Sequence, residues 1–263
     1  MCLPCLALLC GFGALTAHAA GQAPVPGNAR FESFAQVKRL LLENVYADHR
    51  LTLYCRAPFH SDRRVDVPPG FVATHHRERA TRMEWEHVVP AENFGRFFPA
   101  WRDGDARCVN GKGRPYRGRR CAEKVSPAFR RMQADMHNLF PAIGAVNAAR
   151  SNYAMQMLPD VPPTFGTCAV RIARRKVEPP DAAKGTVARA SLYMAAAYPN
   201  FRLSDSQQKL FRAWDRLFPP DGWECERERR IARLQGNDNP FVRQACDAQA
   251  ARQARSLPTI ARR

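Results

Sequence analysis

The chain has 263 residues, 45% of them hydrophobic, enough for a proper core in one large domain or two small ones. Beyond residue 20 no segment is long and apolar enough to span a membrane, which excludes a protein built of membrane-spanning helices. The 41 Lys and Arg against 24 Asp and Glu leave a formal net charge of +17, spread along the chain rather than confined to a tail. Such an excess points to a polyanionic partner, because Lys and Arg that neutralise phosphates release condensed counterions. A basic protein selected for solubility, or for an anionic surface, is the plainer alternative.

Residues 1–20 carry no Lys, Arg, Asp or Glu, have an apolar middle, and end on Ala17-His18-Ala19, a small-x-small cleavage pattern. They read as a secretory signal peptide, although the usual positive start is missing. Residues 21–30 form a polar leader. Phe31 to Tyr46 repeats apolar residues at a helical period. Leu51 to Cys55 reads as a short strand, Arg56 to Thr74 as Pro-rich loops, and Met83 to Val89 as a strand closed by Pro90. Asn93 to Trp101 is expected to be helical. Residues 102–127, rich in Gly, Arg, Lys and Pro, read as a basic loop. Two helices are expected at Pro127–Met136 and Asn138–Tyr153, strand-like pieces such as Cys168 to Ile172 after them, and helices at 186–198 and 204–218. Pro219-Pro220-Asp221-Gly222 is a turn before a last helical pair.

Three of the nine cysteines fall in the signal, leaving Cys55, Cys108, Cys121, Cys168, Cys225 and Cys246. An even number in an exported chain suggests up to three disulfides in an oxidising compartment. The close pairs suggest Cys108–Cys121 and Cys225–Cys246, which leaves Cys55–Cys168. No C-x2-C spacing supports zinc.

Two segments carry chemistry. Glu84-Trp85-Glu86-His87-Val88-Val89-Pro90 puts a carboxylate beside an imidazole at a strand end. Asp135-Met136-His137-Asn138-Leu139 brings the neutral amide of Asn138 to the expected start of a helix. A hard divalent cation takes oxygen ligands, and phosphodiester hydrolysis needs a base to activate water. Neighbouring side chains on a regular strand face opposite ways, so Glu86 and His87 can converge only at a strand end or bulge.

Over most of the chain past the signal, the sequence resembles the bacterial endonuclease I family of periplasmic or secreted non-specific nucleases. The resemblance rests on EWEHVVPAENFGR (84–96) and DMHNLFPAIGAVNAARSNY (135–153), supported by WRDGDARC (101–108) and WECERERRIARLQGNDNPFV (223–242). It implies a single α+β domain over residues 21–263, mixed and mainly helical, with a small sheet and a ββα-metal (His-Asn) core. It further implies His87 as general base, Glu86 and Asn138 as ligands of Mg2+ (Mn2+ or Ca2+ being alternatives), and Arg107 as the arginine holding phosphate, with Arg102 as its nearest rival. The substrate implied is DNA, with RNA an open second, cut to oligonucleotides with 5′-phosphates by a periplasmic or secreted monomer.

Where the family often reads GEVNGDR, this chain has Gly144-Ala145-Val146-Asn147-Ala148-Ala149-Arg150. The lost acids at Ala145 and Ala149 motivate a second reading, a basic DNA-binding protein derived from a nuclease and catalytically weak. Lys112, Arg114, Arg117, Arg119, Arg120 and Lys124 on the basic loop are candidates for backbone contacts, which carry no sequence information. Arg150 is placed either on phosphate or against a carboxylate. Glu123 has no assigned role. His137 is expected to pack or orient its helix, His75 and His76 to sit in a solvated loop, and Trp85 to be core.

Overall fold

The structure is a computed structural model describing residues 25–256; the expected signal segment and the last seven residues lie outside the described residues. The chain folds as one mixed α+β domain, mainly helical. Ser33 caps α1 (Phe34–Leu40) by accepting from the Gln36 amide, and a π-helical turn at Leu41–Val45 extends it. Val37, Leu41 and Val45 are fully buried, as the helical period of this segment requires.

Strand β1 (Met83–His87) pairs antiparallel with β2 (Leu139–Ile143), in a register that sets Glu86 opposite Phe140 and His87 opposite Leu139. The chain between them holds α2 (Ala91–Gly95), α3 (Pro99–Arg102), α4 (Arg119–Val125) and α5 (Pro127–Gln133), packed round their own small core of Phe94, Phe129 and Met132. After β2 comes α6 (Gly144–Arg150). A second sheet joins β3 (Ala154–Met155) parallel to β5 (Lys176–Glu178), which pairs antiparallel with β4 (Arg171–Ala173).

The C-terminal part is four helices: α7 (Asp181–Ala197), α8 (Asp205–Leu217), α9 (Gly222–Gln235) and α10 (Pro240–Ser256). Helix α7 is buried on nearly every side, which its small residues permit. At Gly185 a Cβ would lie 2.0 Å from the Phe218 carbonyl oxygen, so the end of α8 closes on α7 only over glycine. The sulfurs join Cys55 to Cys168, Cys108 to Cys121 and Cys225 to Cys246.

Three expectations need correction. Leu51 to Cys55 is no strand but a turn; Leu53 donates to the Pro141 carbonyl and Leu51 bridges Pro58. The basic stretch 102–127 contains a helix, α4, begun after Gly118. Residues 138–153 are not one helix: a 3-10 turn at Met136–Asn138 runs into β2 before α6 begins. The stretch Leu139–Ile143 is wholly buried, and a continuous apolar run of five does not by periodicity distinguish strand from helix. No helix among the described residues is long and apolar enough to cross a membrane.

Candidate active site

Alternation along β1 sends Glu84 and Glu86 to one face and Trp85 and His87 to the other, and the two faces differ in character. On the first, Gly144 lets α6 start hard against the strand; a Cβ there would meet the Arg79 carbonyl at 2.7 Å and Glu84 at 2.9 Å. Glu84 is held by Arg79, Arg82 (2.8 Å) and the Asn147 side-chain amide (3.0 Å). Burial pushes its carboxyl up, but these donors hold it below the usual range.

Glu86 is almost wholly buried. Its Oε1 accepts from the Tyr54 hydroxyl at 2.8 Å and faces the Arg150 Nε at 3.2 Å, whereas Oε2 makes no hydrogen bond among the described residues. Burial raises its pKa against the pull of Arg150 and Tyr54. The Arg150 guanidinium, itself 2% exposed, also donates to the carbonyls of His87 (3.2 Å) and Val88. Of the two placements expected for Arg150, the structure chooses the carboxylate. A side chain so buried is no surface contact for nucleic acid.

His87 ends β1. Its Nε2 donates to the Gln133 carbonyl at 2.9 Å, which fixes the tautomer and leaves Nδ1 with a free lone pair. The Phe34 ring lies 5.1 Å away, and over that ring sit Lys38 (4.7 Å) and Arg119 (5.4 Å). Arg119 donates to the Gln133 side chain at 2.8 Å and to Glu123 at 3.1 Å. Burial, with the charges of Arg119, Arg150 and Lys38, lowers the His87 pKa to about 3 against the Gln133 bond. The imidazole is therefore neutral throughout the physiological range.

Asn138 is wholly buried and acts as a clamp. Its Oδ1 accepts from the Val89 amide at 2.7 Å and its Nδ2 donates to the Val89 carbonyl at 2.9 Å, while its own carbonyl accepts from Val88. Both ends of the amide hold the exit of β1, so the structure uses it to fix His87 in place. On the carboxylate side the amide of Asn147, three residues before Arg150 on α6, spends its Nδ2 on Glu84, while its Oδ1 takes no hydrogen bond among the described residues. Sequence reasoning passed over Asn147 because attention fell on the two acids lost beside it. Ala145 is buried in the core and Ala149 packs against it.

Arg107 is turned elsewhere: its guanidinium lies exposed in a two-bond pair with Asp105, at 2.8 and 2.9 Å. Besides Arg150, the arginine whose charge acts on His87 is Arg119, one of the six candidate contacts on the basic stretch. Lys112 and Arg114 are exposed on that loop, and Arg117 donates to the Arg102 carbonyl at 3.3 Å. Glu123 serves Arg119. His137 is buried, its Nδ1 3.2 Å from Glu228 and its Nε2 3.0 Å from the Asn237 carbonyl. His75 and His76 are exposed and Trp85 is core.

A divalent cation fits the Glu86 face. A buried carboxylate with one unengaged oxygen, and an amide bonded to Glu84 on the same face of β1 whose own oxygen is unengaged, are hard, oxygen-only donors. No group of three or more His, Cys, Asp or Glu able to hold a metal occurs among the described residues, so such an ion would keep several waters, as Mg2+ does.

Known proteins resemble this chain over most of its length. An extracellular deoxyribonuclease of Aeromonas hydrophila is 42% identical over 212 residues, covering 78% of this chain and 86% of the relative. A periplasmic deoxyribonuclease of the same species is 40% identical over 222 residues, covering 82% and 87%. An Endonuclease-1 of Buchnera aphidicola subsp. Acyrthosiphon pisum is 35% identical over 221 residues, covering 82% of each. These names accord with a place in the periplasm or outside the cell. The family pattern for endonuclease I matches residues 43–246, and the chain belongs to the endonuclease I family.

Proposed function

We propose that this chain is an exported, Mg2+-dependent endonuclease that hydrolyses phosphodiester bonds of DNA, acting as a monomer and with little sequence preference. The observation that carries the reading is the setting of His87: an imidazole locked by Gln133 with one nitrogen free, packed against a Phe34 ring whose cover is Arg119 and Lys38. That cover is suited to a phosphate, and the free Nδ1 to the proton of an attacking water. A phosphate neutralising Arg119 and Lys38 removes part of what depresses the imidazole, so its basicity rises when substrate is bound.

Glu86 and Asn147 would hold the cation, with Asn138 fixing the turn between base and ligand. When bound, the ion stabilises negative charge on the leaving 3′-oxygen. Products with 5′-phosphates follow if water attacks opposite that oxygen, and RNA is a second substrate to test. Supercoiled plasmid incubated with Mg2+ or with EDTA, beside a His87→Ala control, tests the reading. Nicking that needs both Mg2+ and His87 is expected; retarded but uncut plasmid would favour the DNA-binding alternative.

A further inference from the structure

Tyr54 lies in no regular element, yet its phenol is 3% exposed and reaches the one carboxylate beside the candidate base. The turn that carries it is anchored on both sides. Leu53 donates to the Pro141 carbonyl of β2 at 2.7 Å, and Cys55 is bonded to Cys168. Within the turn the Thr52 hydroxyl accepts from the Ala57 amide at 2.9 Å. Arg56 is forced to φ +49, a left-handed conformation that a side chain other than glycine adopts only when its surroundings over-determine it. A strained, cross-linked turn therefore presents one phenol to one oxygen.

We propose that Tyr54 is a positioning residue for the metal site: its hydroxyl, with Arg150, occupies Oε1 of Glu86 and so reserves Oε2 for the cation. The inference rests on the reading of Glu86 as a ligand. A carboxylate accepts only, so the phenol must donate to it. With the phenol bonded to Oε1 and the Arg150 charge 3.2 Å from it, the plane of the carboxylate is set and Oε2 is aimed. Without the phenol, the terminal torsion of Glu86 is nearly two-fold, and Arg150 can take either oxygen. The ion must then compete with Arg150 for its ligand. Groups that orient a metal ligand in this way typically govern affinity more than fold.

A buried tyrosine that merely satisfies its own hydroxyl predicts something different. Mn2+ binding to the mature protein, followed by electron paramagnetic resonance without DNA, separates the two. Tyr54→Phe is expected to weaken Mn2+ by about 10- to 100-fold, while its melting midpoint in EDTA stays near that of wild type. Tyr54→His, which keeps a ring donor, is expected to recover part of the affinity, and serves in its place if Tyr54→Phe does not fold. Glu86→Gln is expected to abolish binding. If both Tyr54 variants bind as wild type while Glu86→Gln does not, the role of Tyr54 is overturned and the ligand stands. If Glu86→Gln binds as wild type, the ligand assignment itself fails, and the positioning role with it.

Discussion

Two histidines of this chain are buried to almost the same degree, and their surroundings drive them in opposite directions. His87 meets a carbonyl at Nε2 and cations beyond it, and burial takes its pKa down to about 3. His137 is as deeply enclosed, and burial alone would lower it too, but the Glu228 carboxylate at 3.2 Å, with Asp135 nearby, raises it. The first is thereby a neutral group with a free lone pair, fit to take a proton. The second faces a carboxylate beneath the 3-10 turn that delivers Asn138. Burial alone did not decide the role; the sign of the nearest charge did.

The sharpest way to break this comparison is to remove each ring. His87→Ala is expected to lower plasmid cleavage by about a hundredfold to ten-thousandfold, the range for a lost general base, with a melting midpoint near wild type. His137→Ala should instead lower the midpoint while the protein that remains folded still cleaves. Comparable cleavage losses in two equally stable variants would mean that the two histidines share the chemistry.

The cationic cover of His87 is the next point of attack. Arg119→Ala is expected to cost about a hundredfold to a thousandfold in kcat, as when one donor to developing charge is removed. Arg107→Ala should stay close to wild type, because its guanidinium is committed to Asp105 in the open. The reverse order would return the phosphate to the loop and leave Arg119 as a support for Gln133.

How much of this was readable in the sequence follows from what kind of contact fixes each part. Glu86 and His87 were legible because they stand side by side in one short motif, although β1 turns their side chains to opposite faces. The pairing of Cys108 with Cys121 and of Cys225 with Cys246 was legible because short loops close most readily. Asn138 was legible as a member of the site but not in its function, because the clamp is made to the backbone of Val89, which carries no side-chain signature. Arg119 was one of eight basic residues in the stretch 102–127; only α4 and the Phe34 ring single it out. Tyr54 could not be found at all, since it reaches Glu86 from thirty-two residues away through a turn that reads as a strand. The helices fared better than β2 because their apolar period is repeated, whereas the five buried residues of β2 have none.

On the other side of the comparison, Glu228→Gln leaves His137 buried without its counter-charge. Breaking a buried pair at one end is costly, and about 3 kcal/mol is expected, at the low end of the usual range because His137 can shed its proton. Chemical unfolding in urea at pH 6, without metal, measures it. A stability unchanged by Glu228→Gln would mean that the pair contributes nothing and that the raised pKa of His137 has another source.

The smallest effect distinguishes the two rings by sign. The His87 pKa is lower folded than unfolded, so as pH falls below about 6.5 the unfolded chain takes up the proton first. Stability held at this site is full above that pH and is lost on acidification toward 3. The His137 pKa is raised, so its contribution is full below about 6.5 and is lost as pH rises through the folded value. Going from pH 7.5 to 5 in EDTA, His87→Ala should therefore gain on wild type, by about 2 kcal/mol at roughly 1.4 kcal/mol per unit. Glu228→Gln should lose ground on wild type over the same interval. Urea unfolding at the two pH values reads both differences. If the two variants move in the same direction, burial rather than the neighbouring charge governs both histidines, and the neutral state of His87 is no longer evidence of a base set apart from the pair beneath it.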